Sequence, residues 1–316
     1  MAKIKSERHH WWPEGVSAYW ADQEGGVNWL LPDGAVRRSV PKNFGVIGNG
    51  HAIKLGGDLE KGSVWDSSFE SEFQNADDNF PSLIQWLDTL DRSGPPFDRP
   101  LAERIKAEEA SDEQFAQLIE CLVSLAARSP MHREQGVALA EHLRGPLPER
   151  ERNSLIGANI QRTLRNAVRN LGGLGKALVA FSPEREFLFG DGFYNNLTTN
   201  GEHWHSPKMF VPLTPWMAVL FTRPMSYTSD PRLFTLSVSA AEADALNYAV
   251  QVYARQMVFY RSEAPSISDA YALGRHQIFA DDRNSVDALA YAIPGTPDRD
   301  ANMDAILALI SNNGAP

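Results

Sequence analysis

Ala177-Leu178-Val179-Ala180-Phe181-Ser182 is an almost unbroken apolar run closed by Pro183, and Met217-Ala218-Val219-Leu220-Phe221-Thr222 repeats its character further along the chain. Runs this short, rich in Val and Phe and bounded by turn residues, fit buried strands better than helices. Glu186–Asp191, Pro207–Val211 and Leu233–Val238 have the same extended character, so a sheet is expected here. Upstream the period becomes helical. Asn153–Leu171 is expected to be a helix ended by Gly172-Gly173, and Met131–Leu143 another. Ser111 and Gln114 stand in capping-box relation at the head of a helix running to Arg128, just before Pro130. Phe69, Phe73, Phe80, Leu83, Ile84, Leu87 and Leu90 recur at helical spacing, which predicts one bent helix or two around Pro81.

Nearest the N-terminus, Gly26–Leu31 and Ala35–Val40 flank Leu31-Pro32-Asp33-Gly34 as a β-hairpin, and a further strand is expected at Phe44–Leu55. Downstream, Ser239 and Glu242 make a second capping box, opening a long helix predicted through Tyr260. The pattern predicts an α+β protein: an N-terminal β-hairpin region, central helices, and a small, mostly antiparallel C-terminal sheet with a long packing helix. One domain is expected over 1–262, divided into a β region (8–60), a helical centre (66–172) and a sheet with its helix (177–262). An acidic, weakly helical extension over 263–316 follows, with helices at Val286–Ala292 and Ala301–Ile310.

The chain has 316 residues, 30 Lys and Arg against 40 Asp and Glu, and one cysteine, Cys121. A lone cysteine excludes an intrachain disulfide and a Cys-rich zinc site. No apolar run approaches the ~20 residues that span a bilayer, and MAKIKSERHHWW lacks the apolar core of a secretory signal. A cytoplasmic location without membrane partners is expected. A net charge of −10 argues against a surface built throughout for nucleic acid, although a local basic stripe can still bind phosphate.

His9 and His10, beside Trp11-Trp12-Pro13, offer imidazoles for acid–base chemistry or metal binding, or a structural pair. Glu70 and Asp77 lie on one helical stripe amid Phe69, Phe73 and Phe80, where an apolar setting would raise their pKa unless a cation sits opposite. Arg128 can cap its helix or clamp a carboxylate or phosphate through its planar fork. Arg162, Arg165 and Arg169 share one helical face, and with Lys176 they form a basic stretch without acids, suited to a nucleic-acid backbone, an acidic protein partner or internal pairing. His203 and His205 share one side of an extended segment but lack a third local ligand. Gly172-Gly173-Leu174-Gly175-Lys176 follows a helix and precedes a strand, the reverse of the order a phosphate loop needs, and is excluded as one.

In their shared order these segments resemble the family known as domain of unknown function 4238. The matching steps are His9-His10-Trp11-Trp12-Pro13, Ser39-Val40-Pro41-Lys42, the spaced acids Glu70 and Asp77, and Arg128-Ser129-Pro130. Phe189-Gly190-Asp191-Gly192, Pro212-Leu213-Thr214-Pro215 and Leu246-Asn247 follow. The resemblance covers about residues 8–262. It departs from the family at Gly192-Phe193, where a Pro is expected after the Asp, and at Asp77, where Glu is more usual. It implies an architecture and a shortlist of positions, Asp191 among them, and supplies no reaction.

Acids, imidazole and a guanidinium from separate segments are the ingredients of general acid–base chemistry with charge stabilisation. The expected function is a hydrolase acting on a phosphate-containing or nucleic-acid substrate. Its site would be assembled from His9 or His10, Glu70, Asp77, Arg128 and Asp191, with His10 as base or metal ligand, Glu70 and Asp191 as metal ligands or base, and Arg128 as anion clamp. A divalent metal is compatible with this set but not required by it. The alternative is a non-catalytic module that docks nucleic acid or a protein through the arginine face.

Overall fold

The apolar runs pair as the sheet expectation requires: Lys176–Phe181 lies antiparallel to Met217–Thr222, with Val179 opposite Val219. Every residue of both strands is buried, as an unbroken apolar run demands. The structure is a computed structural model that describes residues 8–48, 52–53, 67–92, 94, 97–192, 207–224, 226–273 and 285–296, and its class is α+β. Lys208–Thr214 flanks Met217–Thr222 antiparallel, and Leu233–Ser237 runs parallel to Lys176–Phe181. Lys106–Glu108 adds a fifth strand at the edge of Leu233–Ser237. Its sequence carries no strand pattern; the open edge beside it makes it one.

The helical centre comprises Ser71–Asp88, Asp112–Arg128, Pro130–Arg144 and Glu149–Leu171. Ser71–Asp88 is a single helix that passes through Pro81, whose missing N–H leaves the Asp77 carbonyl outside the ladder. Glu149–Leu171 begins four residues earlier than expected, directly after Pro148. Helix Asp112–Arg128 packs against both Ser71–Asp88 and Glu149–Leu171, and every residue from Cys121 to Arg128 is buried. A helix end that is apolar but for Ser124 and Arg128, which bond to each other, lies inside the core. Both capping boxes form as read from the sequence.

The helix opened by Ser239 is shorter than expected. Ala240–Tyr253 is helical, and Val258–Tyr260 is a strand between Val27–Leu30 and Phe189–Gly190. Its three residues are buried, and Val258 and Phe259 pair on both edges, which outweighs the helical spacing of Met257 and Tyr260. The expected hairpin forms from Val27–Leu30 and Val36–Ser39, so the second sheet joins this hairpin to Val258–Tyr260 and Phe189–Gly190 from later in the chain. Of the expected strand Glu186–Asp191, only Phe189–Gly190 pairs. Within Phe44–Leu55, Val46–Gly48 pairs with Arg8–His10 and Ala52–Ile53 with Ser67–Ser68.

Trp11, Trp12, Trp20, Phe44, Phe189 and Phe259 pack as one aromatic cluster behind this sheet, with Trp12 and Phe189 ring centres 3.8 Å apart. Trp20 Nε1 donates to the Leu213 carbonyl at 3.2 Å and ties the cluster to the larger sheet. The short helices Asp269–Ala272 and Ser285–Ala292 lie on the body, and Ala301–Ile310 lies outside the described residues. Tyr271 is fully buried and donates its hydroxyl to the Leu30 carbonyl at 2.7 Å. Tyr271→Phe is expected to cost about 1–2 kcal/mol, seen as a lower urea midpoint with an unchanged slope. No described helix is long and apolar enough to cross a membrane.

Candidate functional site

Strand Arg8–His10, the start of helix Ser71–Asp88 and the end of helix Asp112–Arg128 meet at one junction. His9 is buried there, with Nε2 3.9 Å from a Glu70 carboxylate oxygen, an ion-pair distance longer than a hydrogen bond. The Glu70 side chain is 38% exposed, so the acid faces solvent with the imidazole behind it. Strand alternation sends His10 the other way, where Nδ1 donates to the Phe44 carbonyl at 3.2 Å. The two imidazoles therefore do not act as a pair.

Arg128 is fully buried at the same junction. Its fork embraces Asp77: Nη1 donates to Oδ2 at 3.1 Å and Nη2 donates to Oδ1. Nη1 also reaches the His10 carbonyl at 3.4 Å, Nη2 donates to Ser124 Oγ at 3.0 Å, and the guanidinium stands 4.8 Å from the Phe73 ring centre. This overturns the capping reading of Arg128: its fork clamps a carboxylate, that of Asp77, and the pair leaves it neutralised rather than standing ready for a second anion. Ser129 supplies the cap, donating its hydroxyl to the Ala126 carbonyl at 2.9 Å, and it also accepts from the His132 N–H at the start of the following helix at 3.3 Å.

Asp191 does not turn its carboxylate to this junction. Its oxygens accept from the backbone N–H groups of Arg255 at 2.7 Å and Gln256 at 3.0 Å, while its own N–H donates to the Met257 carbonyl. Burial pushes its carboxyl up from the ordinary aspartate value, against the downward pull of those backbone bonds. Asp191 fastens the turn between helix Ala240–Tyr253 and strand Val258–Tyr260, which corrects its place in the expected site.

Arg162, Arg165 and Arg169 share an exposed face of helix Glu149–Leu171, as their spacing requires. Arg165 forks Glu72 at 2.6 and 2.9 Å, Gln161 donates to the same carboxylate at 2.7 Å, and Arg169 donates to Asn166. Lys176 is not on this face. It is fully buried, donates Nζ to the Pro231 carbonyl at 2.6 Å and lies 5.1 Å from the Phe234 ring centre, and burial lowers its pKa. Glu72 joins the arginine face to the first turn of the helix that follows Glu70. Ser124, missed as a ligand of Arg128, had a visible signal, since it stands four residues earlier on the same helix.

No family model, curated protein or solved structure matches this chain. Among the described residues, no group of three His, Cys, Asp or Glu side chains is placed to hold a metal ion, and His203 and His205 lie outside those residues. Cys121 is buried and its thiol is pushed far up, chiefly by desolvation, so no thiolate nucleophile arises there. Three cavities lined by described residues, of about 580 to 880 Å³, include none of His9, Glu70, Asp77 and Arg128 in their described linings. The junction therefore offers one solvent-facing carboxylate backed by an imidazole, a neutralised guanidinium that fixes the helix ends, and an arginine face nearby.

Proposed function

We propose that the chain is a hydrolase of a phosphate-containing or nucleic-acid substrate, with Glu70 as the acid–base group and His9 as its positioning partner. The observation that carries this reading is the meeting of His9, Glu70, Asp77 and Arg128, drawn from three separate segments, at a place where Glu70 meets solvent. General acid–base catalysis needs a positioned group within reach of the reacting proton. An imidazole behind the acid holds its rotamer. The arginine face supplies the attraction for phosphate. Arg165 holds Glu72, two residues past Glu70, so the cationic helix borders the acid. Exposed guanidinium groups at Arg162 and Arg169 act on an anionic chain over about a Debye length of ~8 Å at physiological salt.

Turnover of bis(p-nitrophenyl) phosphate and of a fluorophore-quencher RNA oligonucleotide, each with and without added Mg²⁺ or Mn²⁺, tests the reading. Glu70→Gln and His9→Gln are expected to lower turnover by about 10²-fold or more with an unchanged melting temperature. Arg162→Gln with Arg169→Gln should raise KM for the oligonucleotide and flatten its salt dependence while leaving kcat in place. Salt-sensitive oligonucleotide retention without turnover under any of these conditions would transfer the case to the non-catalytic binding module.

A further inference from the structure

We infer that the cavity at the carboxyl ends of the parallel strand pair binds a flat aromatic anion, a ring carrying a carboxylate or phosphate group. Lys176–Phe181 and Leu233–Ser237 run in the same direction, with Phe181 opposite Ser237 at their shared carboxyl end. Crevices outside the carboxyl ends of parallel strands are the usual ligand positions of open sheets. Here Phe181, Ser182 and Ser237 open onto a cavity of about 580 Å³, with Phe97 and Trp216 in its walls and Arg92 on its lining. That volume lies within the ~300–1,000 Å³ of small-molecule sites.

The ring follows from the walls. Phe97 and Trp216 are 43% and 38% exposed, two large aromatic surfaces left uncovered in one hollow. A flat ring would cover both and gain the offset or edge contacts that aromatic pairs prefer. The charge follows from the lining. Among the described residues Arg92 is its single charged lining residue, and none of them is a carboxylate. The Arg92 guanidinium stands 4.5 Å from the Phe181 ring centre, which fixes its plane. Among the described residues only its Nη2 is engaged, donating to the Asp88 carbonyl at 2.9 Å and to the Asp88 carboxylate, so Nε and Nη1 stay available. Asp88 is exposed, and such a pair is worth only ~0–1 kcal/mol, little resistance to a better-placed anion. A second guanidinium, Arg104, stacks 5.6 Å from the Phe97 ring centre, held by Glu242 and the Ser237 carbonyl. The larger cavity that shares Trp216 carries Glu184, Glu186 and Asp244 instead, so charge separates the two hollows.

This inference does not depend on the hydrolytic reading. Its test is calorimetric titration of the full chain with three ligands that share one ring: 2-naphthoate, 2-naphthylphosphonate and uncharged 2-naphthol. At least one anion is expected to bind with a Kd below about 1 mM, at least tenfold tighter than 2-naphthol. Whichever anion binds tighter identifies the head group. Arg92→Gln should weaken the anions about tenfold and leave 2-naphthol unchanged, whereas Trp216→Ala and Phe97→Ala should weaken all three. All three replaced side chains are partly exposed, and thermal melting checks that each variant is folded. The inference is overturned by an absence of anion binding in the millimolar range, by equal affinity for 2-naphthol, or by an Arg92→Gln variant that binds the anions as wild type does.

Discussion

Asp191→Ala is expected to lower the unfolding free energy by about 3–5 kcal/mol, the largest effect of any single change at the candidate positions. The substitution removes the buried carboxylate that accepts from the Arg255 and Gln256 N–H groups. Each orphaned buried donor costs ~1–3 kcal/mol, and the loosened turn also releases strand Val258–Tyr260 from its place in the second sheet. Asp191→Asn keeps one acceptor oxygen and should cost about half as much. Burial raises the folded-state pKa of Asp191 above its ordinary value of 3.8. The folded state therefore holds that proton more tightly than the unfolded chain. The resulting contribution is fully present below the unfolded value and is lost as pH rises through the folded one. The stability difference between wild type and Asp191→Asn should accordingly shrink as pH rises across the acid range, as measured by urea unfolding at several pH values. A catalytic Asp191 would behave differently, with Asp191→Ala leaving stability intact or improving it.

Arg128→Met is expected to cost about 2–4 kcal/mol, because it strands Asp77 beside an apolar helix face and unties the His10 carbonyl and Ser124. Breaking a buried ion pair leaves a desolvated charge, while replacing both partners with apolar groups of similar volume is often neutral. The double variant Arg128→Met with Asp77→Leu should therefore recover at least half of the loss. Chemical denaturation of the wild type, both single variants and the double variant gives the coupling directly. If Arg128 were an unencumbered anion clamp, Arg128→Met would keep its melting temperature and lose only anion binding. A stability loss that the double variant repairs shows that the pair fastens helix Asp112–Arg128 to helix Ser71–Asp88 under the Glu70 site.

The sequence alone determined what depends on neighbours within a turn or two. The capping boxes at Ser111 with Gln114 and Ser239 with Glu242, the hairpin around Pro32-Asp33-Gly34, and the apolar runs at 177–182 and 217–222 need only local spacing and turn chemistry, and they form as read. The arginine face was legible for the same reason. Tertiary structure decided partners. Lys106–Glu108 is a strand because an edge lay open beside it, and Val258–Tyr260 is one because two strands flank it. His9 and His10 separate because a pleat alternates, and Arg128 meets Asp77 because two helices cross there. Asp191 turns to the backbone of residues 255–256, and Lys176 sinks beneath Pro231. Period and punctuation are carried by the local backbone, but a charged side chain's role depends on which distant atoms packing brings within about 4 Å of it, where Coulomb and hydrogen-bond energies are steep.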